Sequence, residues 1–183
     1  MSGGDAPGLD QAANLLGALS LSIADRTADA VGGPAGRSES AAAALSAMHH
    51  FLDGPSIDLL GQVLGLTPSG TVRLVDRLQD AGHVTREAGA DRRSVSLRLT
   101  ESGRRAAAQV TEARAGVLRG AVSVLTPTER EAFAEMVGRV LAGLVRGPGA
   151  VRWMCRLCDT TACGRDEGRC PVAGAARVRH GRR

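Results

Sequence analysis

The four cysteines of this chain fall within sixteen residues and nowhere else: Cys155, Cys158, Cys163 and Cys170, spaced C-x2-C-x4-C-x6-C. Thiolates bind soft or borderline cations, and a short loop wraps one centre, so all four are candidate metal ligands. Eight arginines against three acids in residues 151–183 offset the net negative charge that four thiolates leave on Zn2+ or on an oxidised [4Fe–4S] core.

Three chemistries compete for this segment. The opening C-x2-C-x4 is similar to a zinc knuckle with Cys in place of His, although the second C-x2-C of a zinc ribbon is absent. Dense ligation from one segment and the final Cys170-Pro171 are similar to iron–sulfur ferredoxin runs, whose spacing differs. A thiol–disulfide switch without metal is the third, because arginine-rich surroundings lower thiol pKa. Zn2+ and [4Fe–4S] stay undecided as cofactors at this stage.

A second set of residues has the chemistry of nucleic-acid recognition. Between Leu66 and Arg105 an amphipathic segment carries Ser69, Gly70, Thr71, Arg73 and Arg77, followed at once by a hairpin with Arg92 and Arg93 at its tip. Ser and Thr donate to phosphates and base edges, and Arg makes bidentate contacts to guanine. Arg73 and Arg77 share a helix face by their four-residue spacing. Gly70 lets a backbone approach DNA closely. Two guanidinium groups at a tight turn suit an adjacent minor groove or its phosphates, and Asp91 is placed to orient one of them.

Those groups need elements to hold them. Thr67 reads as an N-cap and Pro68 as the first helical residue, with Gly82 as the stop after Ala81. Val72, Val75 and Leu78, with Leu74 at the edge, are the expected buried face of that helix. Ser56 caps a shorter helix over residues 57–64, and Gly65-Leu66-Thr67 has the length of the turn in a helix-turn-helix. Residues 84–87 and 94–99 read as strands, the second with Val95, Leu97 and Leu99 alternating against Ser94, Ser96 and Arg98. Helices are expected over residues 8–30, where Leu16, Leu19 and Ile23 recur at helical spacing, over 38–52 and 101–125, with Ser38 and Thr100 as N-caps, and over 127–146, opened by the capping box Thr126-Pro127-Thr128-Glu129. Its apolar stripe of Phe133, Met136, Val137, Val140, Leu141 and Leu144 is wider than one small domain can cover, which points to a dimer interface.

Bulk properties narrow the class. The chain has 183 residues, 43% hydrophobic and only 2% aromatic, with net charge +4. A core of Leu, Val and Ala suits packed helices, so the fold class is mainly α with a small β-hairpin. Every Lys/Arg position is Arg, which genome composition explains better than function does, because the usage is uniform along the chain. No apolar run is long enough to span a bilayer, and the first ten residues lack the basic and apolar regions of a secretory signal. A cytoplasmic location and no membrane partner are expected. Residues 37–105 carry nine Arg and eight acids, so a reader there works by a few aimed charges. No nucleotide-binding glycine loop or acid–base grouping appears, so the chain is not expected to be an enzyme. A redox or metal-dependent enzyme, or a protein-interaction module built on a winged helix, is the alternative.

The order of these elements resembles the MarR family of bacterial regulators over residues 8–147. The most specific part is Asp91-Arg92-Arg93-Ser94-Val95-Ser96-Leu97-Arg98-Leu99-Thr100-Glu101-Ser102-Gly103, which is similar to the family's wing signature. Thr71 to Leu78, followed by Gly82 and Val84, is similar to its recognition helix. The resemblance implies a winged helix-turn-helix homodimer whose interface uses helices 8–30, 101–125 and 127–146. It further implies a roughly palindromic double-stranded DNA operator, a repressor role, and relief by a small-molecule effector or an oxidant. A pocket between the dimer helices and the reading head, near Met48, His49, His50 and Phe51, is a candidate effector site, although neighbouring histidines on a helix point in different directions and read first as surface or core-edge residues. Residues 1–147 then form the regulator, with 38–100 as its reading part, and 148–183 an added cysteine tail.

Overall fold

The computed structural model describes residues 6–33, 38–89, 95–146 and 149–180. Its elements run α1 (Ala6–Gly32), α2 (Glu39–His50), α3 (Ile57–Leu64), α4 (Pro68–Asp80), β1 (Val84–Ala88), β2 (Val95–Leu99), α5 (Glu101–Val122), α6 (Pro127–Leu144), α7 (Ala150–Met154) and α8 (Pro171–His180). The sequence-predicted caps form. The hydroxyls of Ser38, Ser56, Thr67, Thr100 and Thr126 each accept from a backbone N–H in the first turn of the helix that follows. At α6 the box closes reciprocally, and the Thr126 backbone N–H donates to Glu129 at 2.8 Å. That contact and the Thr126 hydroxyl hold the Glu129 carboxyl below the usual range.

The main core lies under α2. Leu45, Leu60, Leu74, Val75, Val84, Leu97 and Val110 are all fully buried there, with Val31 of α1 at its edge. The alanine run Ala41–Ala44 lets α2 pack closely against α5 and α3. β1 and β2 pair antiparallel, with Val84 opposite Leu99 and Ala88 opposite Val95. Leu97 faces inward from this hairpin and its N–H donates to Pro55 O at 2.9 Å, which ties the wing to the loop before α3.

α1 lies along α5, and α6 packs chiefly on α8. Both α1 and α6 leave large apolar side chains exposed: Leu9, Leu15, Leu16, Leu19 and Leu21 on α1, and Met136, Val140 and Leu144 on α6. Leu16 and Leu19, whose spacing marks α1 as amphipathic, therefore face outward in the single chain. Only Gly138 of α6 is fully buried.

Candidate nucleic-acid interface and cysteine segment

α4 presents its polar face outward because its apolar face locks into the core. The buried positions are Thr71, Leu74, Val75 and Leu78, an i, i+3, i+4, i+7 stripe. This corrects the expected face at two residues. Val72 is 41% exposed, whereas Thr71 is 1% exposed. Thr71 stands against α3, its Oγ1 2.6 Å from where a Cβ on Gly61 would lie, and it donates to Thr67 O at 3.0 Å. A threonine so placed spaces the two helices and is withdrawn from any groove. Counting Thr71 as apolar would have exposed the correct stripe in the sequence and turned Val72 outward.

The other α4 candidates are open. Ser69, Arg73 and Arg77 are exposed, and Gly70 is partly so. Arg77 Nε donates to Arg73 O at 3.3 Å, aligning its side chain along the helix. Gly65 ends α3 with φ +66, a left-handed value that makes the helix-turn-helix elbow and is costly for residues bearing Cβ. Arg92 and Arg93 lie outside the described residues.

Two arginines that the sequence did not single out fix the wing. Arg86 on β1 donates to Asp76 at 2.5 Å and to Gln79 at 2.8 Å, both on α4. Arg98 on β2 donates to Asp53 and lies 3.7 Å from Glu87. Their partners are ten and forty-five residues away, a distance at which no sequence spacing carries a signal.

Between α1, α2 and α5 opens a cleft of about 460 Å³, lined by Ile23, Ala24, Thr27, Val31, Ala43 and Leu64, with Glu39 and Arg114 among its polar groups. Arg156 and Leu157 of the C-terminal segment complete its wall. The residues expected to form an effector pocket are divided instead. Met48 is nearly buried, His49 is exposed, and His50 Nε2 pairs with Thr111 Oγ1 at 3.0 Å. Met48 and His49 line a smaller cavity of about 180 Å³ beside Arg98 and Arg104, without His50 and Phe51 in its wall. His50 titrates below the usual histidine range because it is buried and lies beside His49.

The C-terminal segment packs on the body. Leu157 reaches the main core, Thr160 Oγ1 donates to His50 O at 3.4 Å, and the Arg165 guanidinium lies 5.3 Å from the Phe51 ring centroid. The four cysteines share a second apolar cluster with Val145, Val172 and Ala173. Cys155 and Cys170 are buried, while Cys158 and Cys163 are partly exposed. Cys158 and Cys163 pack against the buried Cys155 and Cys170 in that cluster, and the Cys163 thiol donates to Thr160 O at 3.5 Å. The Cys155 thiol brings Cys158 down to about 6, helped by Arg114 and Arg165. The same contact, then burial, pushes Cys155 up, and burial raises Cys163. Among the described residues, no three His, Cys, Asp or Glu side chains converge on one point at metal-ligand distance. The expected four-ligand set is thus gathered into one cluster, but its side chains do not converge on one point among the described residues.

Comparison with known proteins bears on the reading part. Residues 35–94 match the sequence profile of the MarR family. The HTH-type transcriptional regulator YwhA of Bacillus subtilis is 34% identical over 84 residues, which are 45% of this chain and 60% of that protein. A MarR family protein from Bacillus stearothermophilus superposes with TM-score 0.68 at 20% identity, covering 79% of this chain and all of the other. A mutant of Staphylococcus aureus MepR, solved bound to an oligodeoxyribonucleotide, superposes with TM-score 0.54 at 21% identity over 73% of this chain and 97% of its own. These solved structures carry the same winged-helix fold.

Proposed function

We propose that this chain, whose residues 35–94 match the MarR family model, is a MarR-family homodimeric, sequence-specific DNA-binding repressor that responds to a small effector. The observation that carries the reading is α4. Its inner face is locked into the core while Ser69, Arg73 and Arg77 stand exposed on one outer surface beside the hairpin. A helix so held enters the major groove with its N-terminal half nearest the bases. Arg73 is the base-reading candidate, Ser69 and the Gly70 backbone position the phosphates, and Val72, turned outward, suits a thymine methyl. The oligonucleotide-bound MepR mutant supports this use of the fold. Arg92 and Arg93 complete the proposed contacts from the wing tip.

The exposed leucines of α1 and the apolar side of α6 support dimerisation, since water-facing stripes of this extent mark an interface. Two copies related by a two-fold axis would present their reading helices about one DNA turn apart, ~34 Å, and so fit a palindromic operator. The cleft between α1, α2 and α5 has the size of a small-molecule site and joins the dimerisation helix to the reading part. It is a better effector candidate than the surroundings of His49 and His50.

Selection of bound sequences from random duplexes, followed by titration of the selected site, tests the reading. Arg73→Ala is expected to weaken the selected site by ~1–3 kcal/mol, or ~5–150-fold, with a smaller effect on random DNA. Equal loss on both reassigns Arg73 to phosphate positioning. Absence of any enriched sequence overturns the proposal. Sedimentation of Leu16→Asp combined with Val140→Asp checks the dimer: monomers with lost operator affinity are expected.

A further inference from the structure

We propose that Cys155, Cys158, Cys163 and Cys170 together bind one zinc ion in a four-thiolate site that clasps the C-terminal segment to the body of the regulator. Three observations carry it. The chain's whole complement of cysteine is gathered in one small cluster with Val145, Val172 and Ala173. Cys155 and Cys170 are buried in that cluster, and the partly buried Cys158 and Cys163 pack against it, so all four thiols share one apolar surround. The backbone between them is a run of tight turns rather than a helix: Cys158 N–H donates to Cys155 O at 2.9 Å, Cys163 N–H to Asp159 O at 3.2 Å, and Gly164 and Gly168 have φ +63 and +75. Such turns fold a short strand of chain around a point.

Packing of the thiols among Val145, Val172 and Ala173 argues for a single ion over an iron–sulfur cluster. Zn–S bonds of about 2.3 Å in a tetrahedron put sulfurs only ~3.8 Å apart. A cuboidal [4Fe–4S] core holds its ligand sulfurs farther apart and needs a hollow between them. Bringing the four clustered thiols onto one tetrahedral centre uses rotation about χ1 of the cysteines, a torsion with three staggered wells. In that step four thiol protons leave to solvent, four Zn–S bonds form and no electrons are exchanged. Arg114 and Arg165, which both face Cys158, offset the remaining charge of −2.

The site's placement gives it a mechanical role. Arg156 and Leu157, the two residues between the first pair of ligands, line the cleft beside α1 and α2. Trp153 packs beside Gly65 in the helix-turn-helix elbow, Arg165 covers Phe51, and Pro171 lies against Gly138 of α6. A zinc-closed segment therefore braces the reading helices against α6.

The test uses the full chain, purified without affinity metal. About one zinc per chain by elemental analysis is expected, with cobalt substitution giving the visible absorption of tetrahedral thiolate coordination. Cys158→Ser and Cys163→Ser, chosen because they are the less buried ligands, are each expected to lose most of the zinc. Stripping zinc from the unmutated chain is expected to shift the emission of Trp153, the sole tryptophan, and restoring zinc to reverse the shift. A brown protein with iron and inorganic sulfide overturns the proposal. So does a chain that stays free of metal when offered zinc, or serine variants that retain it. None of these readouts involves DNA, so a failure of the zinc site and a failure of the repressor reading are separable.

Discussion

The reading part and the cysteine segment place their chemistry on opposite sides of their cores. In the helix-turn-helix the apolar residues are inside and the arginines outside, on a scaffold whose caps and core do not involve them. In the segment after Val145 the thiols themselves are core: Cys155 and Cys170 are 4% and 5% exposed. The difference teaches that the proposed DNA affinity and folding are separable in the first region, whereas chemistry and folding are one property in the second.

Core truncations break the comparison most directly. Leu74→Ala removes a side chain that is 1% exposed and is expected to cost ~2–5 kcal/mol in urea unfolding, taking wing and reading helix down together. Val145→Ala, in the cysteine cluster, is expected to cost roughly 1.5–3 kcal/mol. Its effect should appear as faster amide exchange confined to residues 150–180; loss of protection in α4 as well would show the two cores to be one. Arg73→Ala is the counterpart on the outside. It lowers operator affinity as stated above while leaving the melting temperature within ~1 °C, since exposed sites away from caps change stability little. A matching fall in melting temperature would undo the separation of affinity from folding.

Smaller effects sharpen the boundary between the regions. Arg86→Ala removes the partially exposed contact to Asp76 and is expected to cost no more than ~1 kcal/mol of stability. It should nevertheless weaken DNA binding, because the hairpin loses its tie to α4. His50 joins the two regions through Thr160, and burial followed by the neighbouring His49 lowers its pKa from 6.5. A histidine with a depressed folded pKa contributes stability that is present above about pH 6.5 and is lost as pH falls toward the folded value. Acidification from about pH 7.5 to 5.5 is therefore expected to lower the melting temperature, and less so in His50→Gln. An unchanged difference between the two proteins would remove His50 from this coupling.

Much of this was legible in the residues. Ser56, Thr67, Thr100 and Thr126 announced their helices because capping is local chemistry within one turn. Leu97 announced its inward face through a period of two. Val72 and Thr71 were exchanged because a hydroxyl-bearing side chain reads as polar until a glycine on another helix is seen to receive it. Arg86 and Arg98 were passed over because their partners lie on other elements. The cysteine spacing named a ligand set, but that its sulfurs share a core with Val145 and Val172 depends on turns that the spacing does not encode.

By itself, the sequence determined what is governed by near neighbours: helix starts and stops, the hairpin, the reading helix, the family resemblance of residues 35–94, and the grouping of all four cysteines. The tertiary structure decided which side chains of α4 face out, that Arg86 and Arg98 hold the wing, that Arg156 and Leu157 wall the cleft, and that the thiols lie in a core. The physical reason is range. Backbone caps and periodicity act over a few residues, whereas burial and ion pairing are set by which surfaces the folded chain brings together.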